Sequence, residues 1–294
     1  MTRRPVAFDL TLGDMTDSRR QQLRESRPEP FRNRCCGTRA SFSQAPGSGL
    51  IGARVLPDPG LQLGLLRGFE LRRGDDLVPL PMSAQRVVAF LALHDRPLQR
   101  LYVAGTLWLD ASEERANASL RTALWRLGRP SCRLVEATAT HVALAGDVTV
   151  DVRQAKQLAE SAIDGCSIPA ARTLYGAGEI LPDWYEDWVL IEREHFRQLR
   201  LHALEAICTE LTAAGRFAEA TQAGLAAVAG EPLRESAHRA LIAAHLAEGN
   251  PGEALRQYRF FARILKEQLD LEPSQLMDDL MRALPGARRA AASL

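Results

Sequence analysis

The chain has 294 residues, of which 46% are hydrophobic and 25% are charged, and its net charge is +1. This length predicts about two domains, and the composition is that of a globular protein. No apolar run reaches the ~18 residues that a membrane span needs, and the N-terminus lacks the apolar segment of a secretory signal. The sequence therefore predicts a cytoplasmic protein with no membrane partner.

The charge is unevenly divided along the chain. Residues 1–54 carry ten arginines and five acidic residues, and residues 61–150 carry eleven arginines and nine acidic residues. Residues 151–294 carry sixteen basic and twenty-one acidic residues. A basic front and an acidic back suggest two different kinds of partner.

Residues 1–60 are rich in Arg, Ser, Pro and Gly and have few periodic apolar positions. Such a segment cannot bury enough apolar surface to offset the entropy lost on ordering, so it is predicted to be a disordered extension. Two interpretations stay open. The segment is either a nonspecific DNA-binding arm or, as we favour, a dispensable extension, since Met15 is a second possible start.

Residues 61–150 read as short strands, three helices and a closing hairpin. The alternating stretch "LQLGLLRGFELRRGDDLVPLP" predicts strands around a Gly-Asp-Asp turn. "MSAQRVVAFLALH" predicts a helix with Ser83 as its N-cap, and "LQRLYVAGTLWLD" predicts a second helix introduced by Pro97. "SEERANASLRTALWRLGRP" makes a third helix, and two runs around "ATAT" form the hairpin. This order is that of a winged helix-turn-helix with an N-terminal sheet.

The third helix has two distinct faces. At 100° per residue, an apolar stripe gathers around Leu120, namely Ala116, Ala123, Leu124 and Leu127. The opposite face carries Arg115, Ser119, Thr122, Arg126 and Arg129, with Arg121 and Trp125 on its flank. Beyond the first turn, which holds Glu113 and Glu114, the outward face has no acidic residue. A solvated helix usually mixes signs, so this face is predicted to lie against DNA.

The residue types on this face suit DNA recognition. Arginine can bind guanine through two parallel hydrogen bonds in the major groove, while other contacts fix the protein on the phosphates. Arg126 and Arg115 are the best candidates for base or phosphate contacts, and Arg121 is a candidate for a flanking phosphate. For Trp125, packing between domains or against the second helix is favoured over contact with DNA.

The back half, from "VTVDVRQAKQLAESA" onward, is predicted to be helical and contains an internal repeat. Gly215 and Gly249 are 34 residues apart, as are Ala220 and Ala254 within their Glu-Ala pairs. A 34-residue helix-turn-helix period is typical of tetratricopeptide repeats, which stack into a curved array. A partner-binding groove follows from that architecture.

Nothing in the sequence indicates an enzyme or a cofactor. No nucleophile-elbow, zinc-protease or dinucleotide-binding motif is present. Three cysteines lie in periodic apolar segments and are predicted to be buried thiols: Cys132, Cys166 and Cys208. Two histidine pairs are seven residues apart on helices, too far for one metal ion: His195 with His202, and His238 with His245. The cluster "DWYEDW" (183–188) is predicted to cap the first helical hairpin.

Two segments resemble a known family. "LWLDASEERANASLRTALWRLGR" resembles the DNA-binding helices of the Streptomyces antibiotic regulatory proteins, and "LYGAGEILPDWYEDWVLIEREHFRQLRLHALEAICTELTAAGRFAEA" looks like their bacterial transcriptional activator domain. The ending "DLEPSQLMDDLMRAL" is similar too. The resemblance covers about residues 61–284. It implies an OmpR-type winged helix over 61–150 and an activator domain over 151–284, followed by a flexible tail, 285–294.

The resemblance also implies a function. Members of this family activate secondary-metabolite (antibiotic) gene clusters by binding direct repeats in promoter DNA, often as side-by-side copies, and by recruiting RNA polymerase. Such a protein is cytoplasmic and associates with the nucleoid when bound to DNA. The chain resembles the small form of the family, since it has neither a P-loop motif nor an acidic receiver domain.

The hairpin departs from the family pattern. The family usually carries a Gly-Tyr-Arg-like element there, whereas this chain has "ATATHVALAG". Thr138, Thr140 and His141 remain candidates for phosphate contacts, although the basic wing residue is missing.

The sequence as a whole predicts a mainly α protein, with a winged helix-turn-helix (α+β) followed by an all-α tetratricopeptide-like array. The predicted function is sequence-specific transcriptional activation, with promoter DNA, RNA polymerase holoenzyme and further copies of the chain as partners. The alternative is a tetratricopeptide-type adaptor whose winged helix does not bind DNA.

Overall fold

The computed structural model describes residues 60–128, 133–165 and 171–282. The predictions for the extension before Gly60 and for the tail at 285–294 lie outside these residues. So do those for Arg129, Cys132 and Cys166.

The front part begins with a four-stranded sheet. Its strands are β1 Leu61–Gly64, β2 Glu70–Arg73, β3 Asp76–Leu77 and β7 Thr149–Val150, in the order β3-β2-β1-β7. β1, β2 and β3 are antiparallel, and β7 runs parallel to β1. Gly74 in the tight turn between β2 and β3 has a φ of 57°, which glycine adopts without strain. The predicted strands and turn are thus confirmed.

Three helices and a hairpin complete the front part. They are α1 Met82–Ala92, α2 Arg100–Leu107 and α3 Glu113–Leu127, followed by β5 Val135–Ala137 and β6 His141–Leu144. Ala84, Val87, Val88 and Leu91, which follow helical spacing in α1, are all buried, as is the entire predicted stripe of α3. α3 therefore packs by its Leu120 side against α1 and α2, and its other face is free of the core.

Two details of the predicted helices were wrong. Ser83 does not cap α1, because the helix already begins at Met82 with Pro81 at the N-cap position. The Pro81 carbonyl accepts the N–H groups of Ala84 (2.8 Å) and Gln85 (3.0 Å). The second helix is shorter than predicted, because Leu98–Gln99 form a strand, β4, that pairs with β6. β4, β6 and β5 make a separate three-stranded sheet, the wing.

The back part is helical, as predicted. Its helices are α4 Asp151–Ile163, α5 Ala171–Tyr175, α6 Asp187–Ala213, α7 Phe217–Gly230, α8 Glu235–Glu248, α9 Pro251–Leu269 and α10 Gln275–Arg282. Gly215 and Gly249 precede α7 and α9 with φ values of 72° and 86°, and Ala220 and Ala254 are fully buried. The 34-residue repeat thus places a left-handed turn and a small buried residue at equivalent points of two helical hairpins.

Close packing of this array depends on small residues. A Cβ atom added at Gly224 in α7 would lie 3.0 Å from Leu241 Cβ and 3.3 Å from Cys208 Sγ. Cys208 is a buried free thiol, as predicted, and burial raises its pKa to about 11. This thiol is therefore inert, and its role is packing.

The front and back parts share one hydrophobic core, and aromatic rings join them. Trp184 stacks on Phe69 with ring centroids 6.2 Å apart, and Trp188 meets the edge of Phe90 at 5.2 Å. The "DWYEDW" cluster therefore packs against the front part as well as against α6, where Arg193 donates to the Trp184 carbonyl at 2.9 Å. The contacts with the front part were not predicted, because Phe69 and Phe90 are distant in sequence from the cluster.

Polar contacts reinforce this junction. The Asp151 carboxylate accepts the N–H groups of Leu65 (2.9 Å) and Leu66 (3.0 Å). Arg153 donates to backbone carbonyls at the end of α1, and Arg86 pairs with Glu186 at 2.8 Å. Together with the aromatic contacts, these bonds attach α4 and the start of α6 to the front part.

No helix in the described ranges is both long and apolar enough to cross a membrane. Those same ranges contain no cluster of His, Cys, Asp or Glu suited to a metal ion. His238 is buried and bonded on both ring nitrogens, to the Pro232 carbonyl (2.9 Å) and to Gln257 Nε2 (2.8 Å). It thus fills a packing role, in agreement with the sequence interpretation.

Candidate nucleic-acid interface

The outer face of α3 is basic and exposed, as the helical periodicity predicted. Arg115, Arg121, Thr122 and Arg126 are exposed, and Ser119 is half-buried. Thr122 donates its hydroxyl hydrogen to the Ala118 carbonyl at 3.0 Å, so its oxygen and methyl group are what it presents outward. The fold therefore brings four of the predicted side chains onto one open surface, with Ser119 at its edge.

The three arginines of this face lack acidic partners. No carboxylate in the described chain lies within ion-pair distance of Arg115, Arg121 or Arg126. Some exposed arginines elsewhere do pair, as Arg216 with Glu219 (2.7 Å) and Arg256 with Glu253 (2.9 Å), whereas Arg259 and Arg263 on α9 have no such partner in the described part of the chain. The positive charge of these arginines is thus not paired with any carboxylate of the described residues, which favours an anionic partner.

Trp125 lies on the same side of α3, one turn beyond Arg121. It is 71% exposed. This exposure disagrees with the interpretation of Trp125 as a side chain packed between domains or against the second helix. The helix rotation that turns Leu120, Leu124 and Leu127 inward leaves Trp125 on the outer surface.

The wing turn is held by its own hydroxyl groups. Thr138 Oγ1 accepts the N–H groups of His141 (2.9 Å) and Thr140 (3.3 Å), and Thr140 Oγ1 lies 2.9 Å from His141 Nδ1. The three predicted wing residues thus stabilise the turn through contacts with one another. Their exposed surfaces remain at the tip of the hairpin.

Arg100 is the residue that sequence reasoning missed. Its guanidinium donates to the Thr138 carbonyl at 3.0 Å, and its backbone N–H donates to the Thr140 carbonyl at 2.9 Å. A basic side chain therefore does lie beside the wing, although it comes from the start of α2. The signal would have been the pairing of β4 with β6, which a helix prediction over Leu98 hides.

A groove separates α3 from the wing and α2. Its walls include Arg100, Asn117, Arg121, Thr140 and His141. One acidic residue, Glu114, also lines it, near the positive N-terminal end of α3. The groove connects the basic face of α3 to the wing, and apolar side chains, among them Leu101, line it together with the polar ones.

Sequence comparison identifies the back part of the chain. Residues 148–284 match the family model of the bacterial transcriptional activator domain. The resemblance of this part to the bacterial transcriptional activator domain is therefore confirmed. The activator domain comprises α4 to α10 together with β7.

A solved structure shares the fold. Mycobacterium tuberculosis EmbR, in complex with a low-affinity phosphopeptide, superposes with a TM-score of 0.58 at 22% identity. The match covers 79% of this chain and 68% of that one. The two chains therefore share a fold over that length. Among curated proteins, none matches the sequence.

Proposed function

We propose that the chain is a sequence-specific activator of transcription that binds double-stranded promoter DNA through α3 and the wing. The uncompensated basic face of α3 carries the proposal, because three exposed arginines without carboxylate partners are suited to a polyanion. Arg115, Ser119, Arg121, Thr122, Arg126 and Arg129 are the proposed contact residues, with Thr138, Thr140 and His141 at the wing.

Within this interface Arg126 is assigned to a base edge, since it lies opposite the buried stripe. Arg121 is assigned to a phosphate, because it faces the groove beside the wing. Arg100 holds the wing turn against α2 and adds positive charge there. It thereby supplies part of what the hairpin lacks in the OmpR-type pattern.

The activator domain is assigned to protein contacts. Its match with the bacterial transcriptional activator domain favours recruitment of RNA polymerase and association of copies of the chain on neighbouring DNA sites. Residues 61–150 and 151–284 are proposed as the DNA-binding and activator domains. The family resemblance suggests a secondary-metabolite gene cluster as the target, with direct repeats in its promoter.

The test is a salt-titrated binding series with the full chain and duplexes enriched from a random library. If Arg126 contacts the edge of a base, replacing it by alanine should cost about 1–3 kcal/mol of specific binding. The variant should also lose the preference for one base at a single position of the DNA site. A phosphate contact would instead weaken binding to all sequences and reduce the salt slope by about one.

Arg256→Ala is the matched control, because Arg256 is also an exposed arginine, lies on α9, remote from α3 in the chain, and is paired with Glu253. It should leave binding unchanged. If the wild type shows no salt-dependent binding to DNA, the proposed function is refuted and the alternative of a protein-binding adaptor is preferred. If a folded Arg126→Ala protein binds as the wild type does, the assignment of α3 is wrong.

A further inference from the structure

Trp125 is the most exposed of the four tryptophans in the chain. Trp184 is buried, while Trp108 and Trp188 are half-buried against neighbouring side chains. Trp125 does not belong to the buried apolar stripe of α3, which runs from Ala116 to Leu127. Its indole lies instead on the outer face of the helix, beside the exposed arginines.

The surroundings of Trp125 indicate the chemistry of its partner. Arg121 lies four residues before it and Thr122 three residues before it, so both are neighbours on the helix surface. Arg126 follows it directly. An apolar ring flanked by arginines without carboxylate partners suits a partner that is anionic overall and has an apolar group at its centre.

We propose that Trp125 contacts the 5-methyl group of a thymine in the major groove and so determines sequence preference at that position. This inference rests on the proposed function, because it requires that α3 enter the groove. The thymine methyl is the apolar group that base edges present in the major groove, whereas phosphates, guanine and adenine present polar atoms there. The neighbouring guanidinium groups bind those polar atoms, and the indole excludes water from the methyl contact.

The experiment combines a base change with a protein change in the full chain. In an enriched duplex, each thymine is replaced in turn by deoxyuridine, which lacks only the methyl group. We expect one such position to lower wild-type affinity about fourfold, the value of one buried methyl group. Trp125→Ala should lose affinity for the thymine duplex and should no longer distinguish the two bases at that position.

Two further variants make the test specific. Trp125→Phe keeps an apolar ring and should retain the discrimination. Tyr185→Ala removes an aromatic ring of similar exposure, 78%, from the activator domain and should behave as the wild type. Circular dichroism checks that each variant is folded.

The outcomes separate the inference from the proposed function. If the wild type binds no duplex with a salt dependence, the proposed function fails. If the wild type does bind, two results refute the thymine contact while the proposed function stands. In the first, deoxyuridine lowers the affinity of a folded Trp125→Ala protein as much as that of the wild type. In the second, deoxyuridine lowers the affinity of neither protein.

Discussion

The Arg153 guanidinium ties the activator domain to the end of α1, and removing it should destabilise the whole protein. It donates to the carbonyls of Ala92 (2.9 Å), His94 (2.9 Å) and Leu91 (3.2 Å). These carbonyls lie at the helix C-terminus, where a cation is favoured. The Arg153 side chain is 30% exposed, so each bond is given about 1 kcal/mol, less than a fully buried charged donor contributes. With three bonds lost, the Arg153→Met change should lower the free energy of unfolding by about 3 kcal/mol.

Thermal and urea unfolding of the full chain, followed by circular dichroism, measures this loss. For a protein of this size, the loss should lower the Tm by about 6–12 °C. Arg153→Lys keeps the charge but not the forked donors, so it should fall between the wild type and Arg153→Met.

The control is Asp95→Asn. Asp95 pairs with Arg153 at 2.9 Å but is 79% exposed, so this change should cost less than about 1 kcal/mol. The reasoning is refuted if Arg153→Met stays within 1 kcal/mol of the wild type, or if Asp95→Asn is equally destabilising.

Three further changes test the packing by urea unfolding. Leu120→Ala should destabilise the protein by about 2–5 kcal/mol, because it leaves a cavity under α3; a smaller loss would mean that the site collapses. Gly224→Ala should be destabilising, because its Cβ would lie 3.0 Å from Leu241. Gly105→Ala is the control: it has open space around it and should raise the free energy of unfolding by up to about 1 kcal/mol. Equal effects of the two changes would contradict the close approach of α7 and α8. Burial lowers the pKa of His238. The free energy of unfolding should therefore have its full value at a pH above 6.5, the ordinary pKa of histidine, and should decrease as the pH falls below it. His238→Gln should weaken that decrease.

Local periodicity was enough to predict the helices and the face of α3. The stripe from Ala116 to Leu127 repeats every three to four residues, and the fold buries all of it. The same holds for the repeated hairpins, where Gly215 and Gly249 adopt a positive φ in the turn between one helix and the next. These features depend on residues close together in the chain.

Contacts between distant residues were beyond such reasoning. β4 exists because Leu98 pairs with Val142, and without that pairing its sequence suits a helix. The position of Arg100 beside the wing follows from the same pairing. Trp184 could be predicted to pack, but its partner Phe69 lies more than a hundred residues earlier, and no local pattern connects them.

Asp151 has a consequence for protein engineering. It is the first residue of the activator domain's first helix, yet it is the acceptor for two amide groups of the β1–β2 turn. A chimera that joins this winged helix to another activator domain at residue 150 must therefore supply an equivalent carboxylate at the first helical position. A front part and an activator domain taken from different regulators are thus compatible only when the donor helix brings that acceptor, together with partners for the Arg153 and Trp184 contacts described above.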